Sequence, residues 1–215
     1  MTQQKKFWER ESLKKRRSWN HPAVIAFVKP KIKDVVRIIG RNKKLTLLDV
    51  GCGNGFFTKP FSRIYNTKGV DFSERMVSLN PVKNCEVQNA TKLKEKNSSF
   101  DIVFCSNLLH HLEKPTMAVK EMKRVSKKYV VLSEPNRNNP LMFPFLALIK
   151  EERGALKQNQ KYLTELCRKA GLKVIKVKTM GAIVPNKTPA WAVRFFKLFD
   201  NIPFFGFFIL VIAKK

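Results

Sequence analysis

Leu47–Gly55 reads LLDVGCGNG. Apolar residues lead into an acid, and then glycines stand at 51, 53 and 55. The first half has the composition of a buried strand. The second half gives up side chains at every other position directly after that strand. Glycines placed there serve either a tight turn or a loop whose bare backbone amides meet a ligand. The spacing excludes two common phosphate loops. A nicotinamide-type fingerprint needs Gly-x-Gly-x-x-Gly, which is one residue longer, and a nucleotide-hydrolase loop needs a Lys after the run. An acid, Asp71, stands about 20 residues beyond Gly51, at the end of the next strand-like stretch, where a doubly wound sheet places a ribose-binding carboxylate.

Outward from this loop, the pattern alternates between strands and helices. Expected strands are Leu45–Val50, TKGVD ending at Asp71, CEVQNA ending near Asn89, Phe100–Cys105, YVVLSEP, GLKVIKVKTM and Phe204–Ile212. Expected helices run from Gly55 to Ile64, from Ser73 as cap, from near Pro115, over 158–170 and over TPAWAVRFFKLFD. An earlier helix, capped by Asn20 with Pro22 in its first turn, carries apolar residues at helical spacing from Val24 to Ile39, is expected to kink or split at Pro30, and ends at Gly40. Lys5–Trp19 reads as a basic amphipathic helix or arm. Such alternation builds an α/β sheet with helices on both faces. We expect one domain over 1–215, with a basic helical cap (1–43), a cofactor-binding half (44–136) and a substrate-side half (137–215).

Composition narrows the classes. With 44% apolar and 27% charged residues over 215 positions, the chain is long and apolar enough for a substantial core. Cys52, Cys85, Cys105 and Cys167 are scattered and only three histidines occur, so no metal site is expected, and reduced thiols in a cytoplasmic protein are the default. The most apolar stretch, Ile202–Ala213, has twelve residues, short of the roughly 20 a membrane-spanning helix needs. It is expected to be a final core strand. No transmembrane segment and no secretory signal are expected. The net charge is +27, and residues 1–44 hold 14 Lys+Arg against 3 acids. Such a field attracts polyanions, including RNA and anionic lipid surfaces, although basic surfaces can also reflect a lysine-rich proteome.

The glycine run, followed in order by GVDFS (69–73), QNA (88–90), SSFDIVFCSNLLHHLEKP (98–115) and EMKRVSKKYVVLSEP (121–135), resembles the class I S-adenosylmethionine-dependent methyltransferases. The resemblance implies a Rossmann-like seven-stranded sheet of order 3-2-1-4-5-7-6 with its last strand antiparallel, and S-adenosyl-L-methionine as cofactor. It further implies that the backbone at Gly51, Cys52, Gly53 and Gly55 lies along the cofactor, with Asp49 orienting the loop or reaching the cofactor amine. Asp71 would accept the ribose hydroxyls and Phe72 would lie against the adenine. Asn89, where the family often has Asp, and Ala90 would meet the adenine edge. Cys105 and Ser106 would line the cofactor, with Asn107 nearby. Each has a plain structural reading too: Phe72 as core, Cys52 and Cys105 as small packed residues.

The sulfonium carries its own leaving group, so the protein's main task is alignment. Where the acceptor needs deprotonation, the candidate bases are His110 and His111, with His110 preferred and only one of the two expected to face the pocket. Both can equally serve as turn and packing residues. Glu134, ending strand five, is a candidate for the substrate side. The segments 136–156 and 181–196 are rich in Phe, Leu, Trp and Pro, which suits a roof over an apolar pocket. A small or lipid-like metabolite is therefore the first acceptor class, with peripheral contact to an anionic membrane. HHL after strand four is also similar to tRNA wobble-uridine methyltransferases, which keeps RNA as an alternative. A non-catalytic partner subunit retaining the fold is the third reading.

Overall fold

The computed structural model describes residues 16–200, 202 and 206–215. The expected basic arm at 5–19 therefore lies mostly outside the described residues. The first described helix, α1 (Pro22–Ile39), buries Val24, Phe27, Val28, Ile32 and Val35 on one side. Its cap is His21 rather than Asn20: His21 Nδ1 accepts the Ala23 amide at 3.2 Å. Pro30 lies within this helix without dividing it, and Gly40 ends it.

Strands β1 (Thr46–Val50), β2 (Asn66–Asp71) and β3 (Cys85–Val87) form one half of the sheet. Strands β4 (Phe100–Ser106), β5 (Ser126–Pro135), β6 (Lys173–Met180) and β7 (Phe208–Lys214) form the other. The order is β3-β2-β1-β4-β5-β7-β6. β7 runs antiparallel to both β5 and β6, with Glu134 opposite Ile209 and Thr179 also opposite Ile209. The expected start of β7 at Phe204 moves to Phe208, and residues 203–205 lie outside the described set.

Strand alternation divides the core into two layers. Phe104 and Val131 pack beneath α1 with Phe57, Phe61 and Leu210. Their neighbours Val103, Cys105 and Leu132 face the opposite side, against α4 (Pro115–Val125) and α6 (Gln160–Lys169). Shorter helices are α2 (Thr58–Ser62), α3 (Glu74–Leu79) and α5 (Met142–Leu148). Ser73 caps α3 as expected, accepting the Met76 amide. The helix expected over 55–64 shrinks to α2, because Gly51, Gly53 and Gly55 all hold positive φ and keep the chain in a loop. The helix expected over 188–200 is broken, with α7 (Val193–Phe196) flanked by 3-10 turns at Ala190–Ala192 and Lys197–Phe199.

Because β1, β2, β4 and β5 are parallel, their C-terminal ends lie along one edge of the sheet. In open α/β sheets that edge is where the ligand crevice forms.

Candidate active site

A cleft of about 1460 Å³ opens along this edge. Pockets for drug-sized ligands occupy about 300–1,000 Å³, so there is room for a cofactor and a second molecule together. The described side chains do not fill it.

The floor is the loop after β1. The amides of Gly51 and Cys52 both donate to Val70 O, at 2.8 and 3.0 Å, which folds the loop back over β2. A Cβ on Gly51 would come within 3.0 Å of the Leu108 side chain, so the loop lies tight against the segment after β4. At the end of β2, Asp71 accepts the Gly53 amide at 2.9 Å on one oxygen and the Ser73 amide at 3.0 Å on the other. Burial raises the Asp71 pKa, and the two amides and Arg16 work against that rise. With the Phe72 amide also bonded to it, the carboxylate keeps about one further acceptor site for a ligand hydroxyl. Asp49 is buried beneath the loop. Thr58 Oγ1 donates to its Oδ2 at 2.7 Å, and burial, with Asp71 nearby, pushes its pKa up to about 7.

Asp49, Gly51, Cys52, Gly53, Asp71 and Phe72 all border the cleft, as do Asn89, Ala90 and Ser106 on its far side. Gly55 and Cys105 are not on that wall. Gly55 packs under the turn at Asn80–Pro81, where a Cβ would lie 2.5 Å from Pro81 Cδ. Cys105 is fully buried and points into the core layer opposite Phe104. The adenine contact expected of the Asn89 carbonyl also meets an obstacle. Asn89 Oδ1 accepts both the Thr91 amide and the Thr91 hydroxyl at 2.9 Å, which uses its acceptor sites. Ser106 Oγ and Asn107 Oδ1 are buried beside the cleft with no hydrogen-bond partner. Buried polar atoms ordinarily find partners. Two orphans on this wall, next to a glycine-floored cradle and a buried carboxylate, fit a polar ligand such as the adenosyl cofactor.

Both histidines border the cleft, contrary to the expectation of one, because Leu109–His111 is a single 3-10 turn rather than an α-helix. Their rings lie 3.9 Å apart between centroids. His110 Nδ1 lies 2.7 Å from Glu134 Oε2, and its Nε2 lies 3.2 Å from Glu152 Oε2. Glu134 Oε1 accepts the amides of Leu108 and Leu109, at 2.9 and 3.0 Å. Burial opposes a charge on His110, but its two carboxylate partners prevail and raise its pKa to about 9. The raised pKa favours the imidazolium, hydrogen-bonded at Nδ1 to Glu134, while Nε2 is within ion-pair distance of Glu152 but makes no hydrogen bond. His111 is driven the other way: burial, and then the charge of His110, lower its pKa to about 3. It stays a neutral, very weak base.

Sequence reasoning missed Glu152 and Arg16. Glu152 lies in the 3-10 segment Lys150–Lys157, which folds over the histidine turn so closely that a Cβ on Gly154 would lie 1.9 Å from His110 O. No spacing in the chain signals that approach. His110, His111 and Glu152 also bring their ligand atoms within 4.8 Å of one another, a grouping of metal-ligand types that the histidine count did not lead us to expect.

Residues 48–132 match the family described as the methyltransferase domain. A demethylmenaquinone methyltransferase from Staphylococcus aureus is 32% identical over 117 residues, covering 48% of this chain and 48% of that protein. The match thus spans about half the length of this curated relative. A methyltransferase from Thermotoga maritima, described as a possible histamine N-methyltransferase, superposes with a TM-score of 0.72 at 20% identity, over 98% of this chain and 99% of that one. The magnesium protoporphyrin IX methyltransferase from Synechocystis, solved with bound S-adenosylhomocysteine, gives a TM-score of 0.68 at 14% identity, over 98% and 97%. Sheet order and structural likeness give the chain the fold of the class I S-adenosylmethionine-dependent methyltransferases. The match to the methyltransferase domain spans residues 48–132 of the chain.

Proposed function

We propose that this chain transfers the methyl group of S-adenosylmethionine to a small or lipid-like acceptor. One observation carries the acceptor class: the cleft beyond the glycine loop is walled by Phe27, Phe56, Met142, Phe145, Ile149 and Phe208. Desolvated apolar walls favour an apolar acceptor and exclude water from the reacting centre. The cofactor supplies an electrophilic methyl on a positive sulfur. Asp71, the glycine loop and Asp49 hold and orient it, while the apolar wall aligns the acceptor for in-line attack.

The histidines bear on the acceptor atom. The pKa of His110 is raised by its carboxylate partners and that of His111 lowered by burial and by His110, so neither is tuned as a proton acceptor at neutral pH. That supports an acceptor atom with a lone pair or charge ready on arrival, such as an amine, a carboxylate or an already ionised oxygen or carbon. The acceptors named for the relatives, demethylmenaquinone and magnesium protoporphyrin IX, agree with a small-molecule class.

Peripheral contact with an anionic membrane accords with α5. This helix turns Met142 and Phe145 to the cleft while Phe143 and its neighbours Leu141 and Leu148 are exposed, beside Lys150 and Arg153. No helix among the described residues is long and apolar enough to cross a membrane.

The test is to incubate the protein with tritiated S-adenosylmethionine and host-cell extract, then partition the products. Label is expected in the small-molecule or organic fraction, and Asp71→Ala is expected to abolish it. Label confined to the tRNA fraction would overturn the acceptor class, and no transfer to any fraction would overturn the reading altogether.

A further inference from the structure

The turn after β4 sets two histidines side by side on the cleft, with ring centroids 3.9 Å apart. Together with Glu152 they gather three ligand atoms of metal-binding types within 4.8 Å of one another. All three residues border the cleft. They come from two segments that no local signal joins, the 3-10 turn Leu109–His111 and the 3-10 segment Lys150–Lys157 folded over it. His110 Nε2 is buried, makes no hydrogen bond and lies 3.2 Å from Glu152 Oε2. A buried nitrogen in that position ordinarily has a partner.

The other contact of His110 is the one a metal-holding histidine makes. A histidine that binds a metal through one ring nitrogen gives the N–H of the other to a carboxylate or carbonyl, which fixes its tautomer and ring orientation. Nδ1 of His110 has that partner in Glu134 Oε2 at 2.7 Å, and Glu134 is itself held by the Leu108 and Leu109 amides. In a tetrahedral site with bonds of about 2.0–2.2 Å, neighbouring ligand atoms stand roughly 3.3–3.6 Å apart. His110 Nε2 and Glu152 Oε2 are already close to that separation. The wider spacings of the group close by side-chain rotation. Charge agrees as well: the fixed charges that act on the three residues include two carboxylates, Glu134 and Glu152, against one guanidinium, Arg16.

We propose that His110, His111 and Glu152 bind one divalent cation of the zinc type, with Glu134 as the positioning carboxylate behind His110. Two imidazoles and a carboxylate are donors that zinc takes in sites that keep a fourth place for a ligand from outside the chain. Here that place faces the cleft and takes water or an oxygen of the acceptor. Binding needs a deprotonated Nε2, so the cation replaces the proton that the metal-free chain carries there. The metal site stands apart from methyl transfer, and only its contact with an acceptor rests on that reading.

The test titrates the full chain, stripped with a chelator and kept reduced, with zinc by calorimetry. About one zinc per chain is expected to bind. Loss of a ligand costs more than loss of an outer carboxylate, so His111→Ala and Glu152→Gln are each expected to weaken binding by more than about 100-fold, and Glu134→Gln by about 10- to 100-fold. His21→Ala and Cys85→Ser, which lie outside the group, are expected to leave it unchanged. Zinc is also expected to raise the Tm of the parent chain but not of His111→Ala or Glu152→Gln. A cooperative melt without zinc reports that each variant is folded, and Glu152→Gln, which keeps the side chain's size, carries the test should His111→Ala not fold. No zinc binding by the parent chain, binding that survives the ligand substitutions, or binding lost in Cys85→Ser would overturn the proposal and leave the methyl-transfer reading standing.

Discussion

Glu134 Oε2 and His110 Nδ1 meet at 2.7 Å, with the glutamate wholly buried and the histidine 6% exposed. The pair ties the end of β5 to the turn after β4, and the other oxygen of Glu134 fixes two amides of that turn. This contact fixes one wall of the cleft. Removing one member of a buried ion pair strands the other charge and costs about 3–5 kcal/mol. Glu134→Ala is therefore expected to lower the unfolding free energy by about that amount, measured by urea melts. A loss under 1 kcal/mol would mean that the pair is not formed.

The same pair sets a pH dependence. His110 titrates at about 9 in the folded chain against 6.5 when unfolded. Between those values the folded state holds more protons, so its stabilising contribution is complete below pH 6.5 and is lost as pH rises through 9. The stability difference between the parent chain and Glu134→Gln is expected to shrink over that window. A difference that is flat from pH 6 to 9 would argue against a protonated His110.

Lys31 is 1% exposed, with Nζ 3.6 Å from the Phe27 ring centroid and 3.0 Å from Phe27 O. Burial, partly offset by Asp200, lowers its pKa from 10.5 to about 7. The unfolded chain binds more protons between these values, so this lysine penalises folding fully below pH 7 and progressively less up to pH 10.5. Lys31→Met is expected to stabilise the chain by about 1–4 kcal/mol at pH 6 and by less at pH 10. Thermal melts at the two pH values check it, and a destabilised variant at pH 6 would refute it.

Two glycines of the loop separate folding from binding. At Gly55, φ is +89° and a Cβ would strike Pro81 and Asn80, at 2.5 and 2.8 Å. At Gly53, φ is +50° and a Cβ would make only an ordinary contact with Arg16. Gly53→Ala is expected to lose about 1–2 kcal/mol of stability from its left-handed backbone, together with cofactor affinity. Gly55→Ala is expected to lose more stability, because neighbours must also shift. Melting curves and S-adenosylhomocysteine titrations of both variants distinguish the two roles.

Much of the sheet was legible because its signals are local. LLDVGCGNG, the acid at 71 and Ser73 before α3 each act through their own few residues. The 3-10 breaks around α7 were not legible, since the apolar spacing there matches one continuous helix and tertiary packing decides otherwise. His110 and His111 were readable as site residues, but their protonation was not. It depends on Glu152, 42 positions from His110, arriving over the turn.

The sequence by itself determined the order of strands and helices, the loop that floors the crevice and the carboxylate at its edge, because backbone conformation and side-chain periodicity are short-range properties. Only the tertiary structure decided which groups share the cleft. It set Arg16 over Gly53, turned Cys105 into the core and enclosed His110 between two carboxylates. Charge states and ligand contacts follow from burial and from partners distant along the chain, and those distances exist only once the chain has closed on itself.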